Sequence, residues 1–334
     1  MKKINYLFSF FVIFFTTFAS ANESSQIENI FSNQPNVKIF IDQMVTKHHF
    51  KKIELVRLFD SLKIKPSTTS KSKTPFEHKS WQTYRMIFVS DRRIEQGILF
   101  WNQYQDILKK AEITYGVPAS IIVATIGMET RYGKNPGQKP VINSLASLAF
   151  GSHPRANFFR KELEEFLLLS REQHLDPRSI LGSYAGAIGQ PQFMPSSYRH
   201  FAVNFSGNVS IDLSHDWGDV IGSIANYYKK NGWETNQAIA IPVSLAGGEY
   251  QFSLSHPKPI SLSEMIGHVA IPKDETQNHL MIFRGFYNSE YWKVYKNFSV
   301  IKRYNHSDLY AMAVFQLSYY LDAGRKALKE LESN

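Results

Sequence analysis

Residues 121–133, with the sequence IIVATIGMETRYG, constrain the fold more than any other part of the chain. The segment is almost wholly apolar, and a helix that is apolar on all sides is buried among other elements. Pro118 precedes it, where a first helical turn tolerates proline, and Gly133 is suited to end the helix. The pattern therefore predicts a buried helix that carries one carboxylate, Glu129.

Glu129 is unusual because buried carboxylates are rare unless they are paired or functional. Burial disfavours the charged carboxylate, and so does the negative end of the helix dipole. Both effects raise the pKa, as a general acid working near neutral pH requires. The structural alternative is an ion pair with Arg131, although residues two apart on a helix do not face each other. The residues alone leave both interpretations open.

No second carboxylate follows Glu129 closely in the sequence. Most glycosidases use two carboxylates, one on each side of the scissile bond. After Glu129 the next acidic residue is Glu162, in the run KELEE at 161–165. We interpret that run as a solvated helix face rather than as the place of a nucleophile. A lone acid predicts substrate-assisted or intramolecular chemistry.

Hydrophobic periodicity predicts a mainly α fold with a small β-rich insertion (α+β). Predicted helices cover 37–48, 51–62, 91–116, 121–133, 141–149, 156–171, 196–203, 219–231 and 307–331. Predicted strands cover 239–244, 249–254, 280–284 and 291–301. The expected domains are an N-terminal lead-in and linker (22–75), a helical catalytic body (76–234), the β-rich insertion (235–303) and a C-terminal helix that returns to the body (304–334).

The first residues predict export from the cytoplasm. Lys2 and Lys3 precede an apolar run at 6–18 and the sequence ASA at 19–21, which together describe a secretory signal peptide. The alternative, an uncleaved anchor, would need a longer apolar run. The chain contains no cysteine, so it forms no disulfide and carries no lipid on a cysteine. We therefore expect a periplasmic protein, cleaved at 21, that is not a lipoprotein.

The formal net charge of +9 leaves two interpretations. A basic exported protein suits peptidoglycan, whose peptides carry carboxylates, or the charge serves solubility only. Nucleic acid is not an expected partner, because no nucleic-acid motif is visible and the chain is predicted to be exported.

Three motifs resemble those of the membrane-bound lytic murein transglycosylase B family: ETRYG at 129–133, GSYAGAIGQPQFMPSSY at 182–198 and RYNHS at 303–307. The resemblance extends from about Tyr84 to Leu317. It implies a lysozyme-like helical core and cleavage of the MurNAc–GlcNAc β-1,4 bond of peptidoglycan without water. In that reaction one glutamate serves as acid and then as base, and a 1,6-anhydro end forms.

The same resemblance assigns residues to the site. Glu129 falls on the catalytic glutamate, and the substrate-binding positions fall on Tyr84, Arg155, Ser183, Gln192, Tyr227, Tyr304, Asn305 and Tyr310. Pro154 stands where a second basic residue facing the stem peptide is expected. The implied partners are glycan strands of peptidoglycan and periplasmic cell-wall enzymes, and the chain is expected to be a monomer.

An EF-hand-like calcium loop occurs in many members of this family, and the matching stretch here is NFSGNVSID at 204–212. Asn204 and Asn208 replace carboxylates, and Val209 replaces the glycine that such a loop needs. The remaining candidates for ligands are Asn204, Ser206, Asn208, Ser210 and Asp219, together with Asp212 and Asp216. We therefore expect no cofactor, and calcium is the only metal for which the sequence offers a candidate loop.

The sequence leaves two other functions open. A hydrolytic muramidase of the same fold would need a second carboxylate in the cleft. A non-catalytic peptidoglycan-binding protein would have no need of the acid at position 129.

Overall fold

The computed structural model describes residues 31–62, 64, 79–243, 279–285 and 289–333. The predicted signal peptide, the predicted linker at 65–75 and the predicted strand at 249–254 lie outside the described residues. The chain divides into two compact units, residues 1–63 and residues 64–334.

The described part of the first unit is a small helical hairpin. A short 3-10 turn at Phe31–Asn33 leads into helix α1 (Pro35–His48), and helix α2 (Lys52–Asp60) follows. Phe40 and Phe59 are buried between the helices with their rings 5.9 Å apart. The two short helices predicted at 37–48 and 51–62 are confirmed.

The second unit is mainly α-helical, as the periodicity predicts. The helices of its described residues are α3 (Trp81–Phe88), α4 (Asp91–Gln103), α5 (Gln105–Tyr115), α6 (Ala119–Thr130), α7 (Val141–Phe150), α8 (Ala156–Glu172), α9 (Pro195–Phe201), α10 (Trp217–Lys230), α11 (Lys296–Tyr304) and α12 (Asp308–Glu332).

Helix α6 is the predicted buried helix. Every one of its residues is buried except Glu129, which is half-buried. Helix α12 packs along it, with α4, α5 and α10 around the other sides. Among the described residues no single helix is long and apolar enough to cross a bilayer, and only α5 and α6 pass that test jointly, across a bend of 114°.

The helix predicted at 91–116 is in fact two helices, because the backbone turns at Tyr104 (φ −114°, ψ 25°). The Tyr104 ring packs on Phe100, with 4.7 Å between centroids, and on Trp217 at 5.6 Å. Trp217 is more than a hundred positions away in sequence, so the local periodicity could not show the break.

Within the part of the chain that the structure describes, the strands form two small antiparallel sheets. β1 (Lys139–Pro140) pairs with β2 (Leu181–Gly182). In the second sheet, β3 (Ala240–Pro242) and β4 (His279–Arg284) lie on either side of β5 (Ser289–Val294). The mainly α class with a small β-rich part is confirmed.

The predicted strand at 291–301 is wrong beyond Val294, because α11 begins at Lys296. Aromatic and β-branched residues favour a strand there. However, Phe298 and Ile301 are buried three positions apart, as on one face of a helix. Asn297 anchors the helix by donating to Glu234 O at 2.8 Å and accepting from Glu234 N at 2.9 Å. Tertiary contacts therefore override the local propensity.

Candidate active site

The turn after α6 holds Glu129 at the helix end. Arg131, Tyr132 and Gly133 all have left-handed backbone, with φ of 54°, 57° and 86°. The Tyr132 hydroxyl group lies against Gly97 and Gly127, where an added Cβ would approach the phenolic oxygen to 2.4 and 2.6 Å. The two glycines therefore make room for the Tyr132 side chain, which fixes the turn.

Among the described contacts, Arg131 is not an ion-pair partner of Glu129. Its side-chain Nε donates to Gln96 Oε1 at 3.1 Å. The partner of Glu129 is Tyr310, whose hydroxyl group donates to Glu129 Oε1 at 2.7 Å.

Burial raises the pKa of Glu129 to about 7, and the hydrogen bond from Tyr310 opposes that rise. Burial also raises the pKa of Tyr310 well above its ordinary value, so Tyr310 remains a neutral donor. A carboxylic acid with this pKa is protonated in a large fraction of molecules near neutral pH and can also ionise, as a general acid and base must.

Tyrosine rings form one wall beside Glu129. Tyr304 stacks on Tyr310 with 6.4 Å between centroids and lies 4.7 Å from the ring of Tyr227. The Tyr304 hydroxyl group donates to Pro191 O at 2.7 Å. This bond joins the C-terminal part of the site to the loop between Gly182 and Phe193, which we call the glycan loop because the motif resemblance assigns sugar-binding positions to it.

The glycan loop is shaped by its own polar side chains. Ser183 Oγ accepts from the backbone N–H groups of Ala185 and Ala187 at 3.2 and 3.0 Å. Gln192 has left-handed backbone (φ 51°), and its Nε2 donates to Pro136 O at 2.9 Å and to Gly189 O at 2.8 Å. Both Ser183 and Gln192 are half-buried, so each keeps a surface toward solvent.

The remaining predicted residues lie in different surroundings. Tyr84 is only 3% exposed and packs between the rings of Trp81 and Phe88. Arg155 is exposed, with its guanidinium 4.2 Å from the centroid of the Phe158 ring. Asn305 is half-buried and ends α11 in extended conformation. The described contacts thus join Tyr227, Tyr304, Tyr310 and Glu129 directly.

The interpretation of 161–165 as a solvated face is wrong for Glu162, which is only 5% exposed. Its carboxylate accepts from Ser196 N at 3.0 Å and from Ser196 Oγ at 2.7 Å, at the start of α9. A carboxylate is stabilising at that end of a helix. Lys161 is exposed, as predicted. The sequence of a charged run does not show which of its charged side chains is buried.

Two polar residues near Glu129 were not found from the sequence. Thr125 and Tyr228 share a hydrogen bond of 2.7 Å inside the core. Thr125 lies one helical turn before Glu129 and therefore on the same face of α6. A hydroxyl group in an otherwise apolar run, four residues before a buried acid, was the signal available.

In the 204–219 segment, several of the side-chain oxygens that the sequence offers as calcium ligands accept hydrogen bonds from backbone N–H groups. The buried Asp219 carboxylate accepts from Phe205 N at 2.8 Å and Asp212 N at 3.0 Å, and the Asn204 side-chain oxygen accepts from Gly207 N at 2.8 Å. Gly207, not Val209, has the left-handed backbone. Among the described residues no three His, Cys, Asp or Glu side chains are grouped as metal ligands. Ser206, Asn208 and Ser210 line an open cleft instead.

Known proteins resemble the chain over most of its length. Membrane-bound lytic murein transglycosylase B of Escherichia coli is 39% identical over 310 residues, which cover 87% of this chain and 84% of the relative. The crystal structure of soluble lytic transglycosylase SltB1 from Pseudomonas aeruginosa matches with a TM-score of 0.75 and 42% identity, and the match covers 87% of this chain and 100% of that one.

A third protein, SltB3 from Pseudomonas aeruginosa, was solved in complex with NAG-NAM-pentapeptide. It matches with a TM-score of 0.69 and 28% identity, over 86% of this chain and 79% of that one. These structures confirm the lysozyme-like fold that the motifs imply. A family model described as the transglycosylase SLT domain matches residues 32–319. The chain therefore belongs to the family of lytic transglycosylases that contain the transglycosylase SLT domain.

Proposed function

We propose that this enzyme cleaves the β-1,4 bond between MurNAc and GlcNAc in peptidoglycan without water, with Glu129 as its single acid and base. The observation that carries the proposal is the Glu129 carboxyl group at the end of a buried helix, with a pKa of about 7 and one neutral donor, Tyr310. A relative that holds NAG-NAM-pentapeptide supports a glycan strand as the substrate.

The reaction begins with Glu129 protonated. Its proton passes to the glycosidic oxygen while the bond from that oxygen to C1 of MurNAc breaks, and the electron pair leaves with GlcNAc. The Glu129 carboxylate then removes the proton of the MurNAc C6 hydroxyl group, and that oxygen bonds to C1. A 1,6-anhydro end forms, Glu129 is protonated again, and no water is consumed.

The other predicted residues bind the strand. Ser183 and Gln192 on the glycan loop would contact the sugar and its N-acetyl group. Tyr304 and Asn305 would contact it from the C-terminal side. Arg155 would face the stem peptide carboxylates, as its exposed guanidinium group allows. Tyr84 and Tyr227 are largely buried. We therefore propose that they support the shape of the cleft and do not form its open surface.

Hydrolysis by a second carboxylate has less support. Glu162, the next acid after Glu129, is committed to Ser196. In the described part of the chain, no second carboxylate perturbs the pKa of Glu129. A second carboxylate would be expected to do so at the separation of about 5–5.5 Å found in retaining glycosidases, which argues against a nucleophile beside Glu129.

We also propose that the mature enzyme begins after Ala21 and works in the periplasm as a monomer, without a metal. Lys2, Lys3 and the run at 6–18 support the leader, and the absence of cysteine argues against a lipid anchor. Periplasmic extraction followed by N-terminal sequencing tests this. We expect a soluble fraction that starts at Asn22, and Met1 in a washed membrane fraction would contradict it.

The Glu129→Gln variant tests the catalytic role. Glutamine has nearly the same shape but cannot cycle a proton, so we expect turnover of purified sacculi to fall by about 10² to 10⁴-fold or more. Binding of a soluble glycan fragment should persist. Glu330→Gln, on the exposed end of α12, is the matched control and should retain full activity. If Glu129→Gln keeps turnover within tenfold of wild type, the catalytic role of Glu129 is wrong.

A further inference from the structure

Asp219 is a fully buried carboxylate in the first turn of α10. Its Oδ1 accepts three hydrogen bonds, from Phe205 N at 2.8 Å and from Ser206 N and Oγ, each at 3.0 Å. Its Oδ2 accepts from Asp212 N at 3.0 Å. One side chain therefore fixes both ends of the 205–212 segment to the start of a core helix.

The two residues that follow this segment, Leu213 and Ser214, are in direct contact with the glycan loop. Gln190 N donates to Leu213 O at 2.8 Å, and the Gln190 side-chain Nε2 donates to Ser214 O at 3.0 Å. Gly189 approaches so closely that an added Cβ would lie 2.4 Å from Leu213 O. Gly189 also accepts the hydrogen bond from the Gln192 side chain.

The donors around Asp219 determine what else could bind there. Each N–H or O–H hydrogen points at the carboxylate oxygens, so a cation placed against the same lone pairs would meet the positive ends of these dipoles. A buried carboxylate with four donors is satisfied without a counter-ion. The N-terminal end of α10 adds further stabilisation of the negative charge.

We propose that Asp219 is a positioning residue: its carboxylate holds 205–214 as a metal-free platform, and the platform sets the place of Gln190 and hence of Gln192 in the glycan loop. The proposal rests on the proposed function in that Gln192 is taken to bind the sugar. Asp219 itself lies in the core and does not touch the substrate.

Asp219→Asn tests the proposal, because asparagine keeps the shape but exchanges one acceptor oxygen for an N–H donor. At least one buried N–H loses its partner, which corresponds to about a tenfold change in the equilibrium that it supports. We expect amide hydrogen exchange at Gln190 to accelerate about tenfold while amides in α6 and α12 keep their wild-type rates. The KM for a soluble glycan should rise by about the same factor, with kcat within about twofold.

Asp106→Asn is the matched control. Asp106 also lies in the first turn of a helix, α5, but its side chain is exposed, so both readouts should stay at wild-type values. If Asp219→Asn does not fold, Ser206→Ala removes only the Oγ bond and should give a smaller acceleration at the same amide.

Three outcomes would overturn the proposal: unchanged exchange at Gln190 in Asp219→Asn, a loss carried by kcat alone, or a higher melting temperature of the wild-type protein in calcium chloride. The exchange measurement needs no turnover. It therefore stands even if Glu129→Gln shows that the proposed chemistry is wrong.

Discussion

Tyr310 donates a hydrogen bond of 2.7 Å to Glu129 Oε1, across 181 positions of sequence. Burial raises the pKa of Glu129, whereas this bond favours the ionised form and lowers it. The two opposing effects leave the pKa at about 7. An acid in this range can give up its proton in the first half of the reaction and accept one in the second.

The Tyr310→Phe variant is expected to shift the pH profile. Without the hydroxyl donor the pKa of Glu129 rises further, so the protonated form persists to higher pH. The alkaline limb of kcat/KM, which reports this pKa in the free enzyme, should therefore move upward. Tyr115→Phe, on α5, is the control and should leave the profile in place. Movement of the limb to lower pH would contradict the role given to Tyr310.

Stability is expected to depend on pH through Glu129. The folded-state pKa of about 7 exceeds the ordinary value of 4.5, so the folded state binds the proton more tightly. Below about pH 4.5 Glu129 is protonated in both the folded and the unfolded state, so its contribution to the free energy of unfolding is constant. The free energy of unfolding then falls as the pH rises, until about pH 7. The full shift corresponds to about 3 kcal/mol, and we expect about 1–2 kcal/mol because Glu129 is partly exposed.

Denaturant unfolding of wild type and Glu129→Gln at the two ends of that range measures this contribution. Glutamine has no charge to bury, so the variant should gain stability relative to wild type as pH rises. A difference that stays constant with pH would show that Glu129 is not destabilised when ionised.

Chelation is expected to leave the melting temperature unchanged. A calcium ion at a hundredfold excess over its dissociation constant stabilises a protein by about 2.7 kcal/mol, which is several degrees in a chain of this size. Here the Asp219 oxygens already accept hydrogen bonds from the backbone. The variant N204D/N208D/V209G adds carboxylates and a flexible position, and should gain calcium sensitivity. A clear shift on chelating the wild type would mean that the loop binds metal.

Much of the fold could be predicted because the decisive signals are local. Helix α6 is apolar on every face, so its burial follows from composition alone. The break at Tyr104 and the helix α11 could not be predicted in this way. Ring packing on Trp217 causes the first, and the anchoring of Asn297 at Glu234 supports the second. Both contacts join parts of the chain that are distant in sequence.

In the candidate site, too, local features could be predicted from the sequence and contacts between distant residues could not. The isolated acid in an apolar helix indicates Glu129 from physical chemistry, but its partner Tyr310 came only from motif resemblance. Glu162 and Asp219 are also buried, but unlike Glu129 both accept hydrogen bonds from backbone N–H groups, and this difference was not visible in the sequence. The role of a buried acidic side chain depends on the hydrogen-bond donors around it, and the sequence does not show which donors these are.

The mass of the muropeptides released from purified sacculi, in water enriched in heavy oxygen, tests the central claim most directly. If Glu129 directs the attack of the C6 hydroxyl group, the wild-type products end in 1,6-anhydro-MurNAc, lighter by one water and free of the label, and Glu129→Gln releases almost none. Reducing ends that carry heavy oxygen would show that water is the nucleophile and would contradict the account.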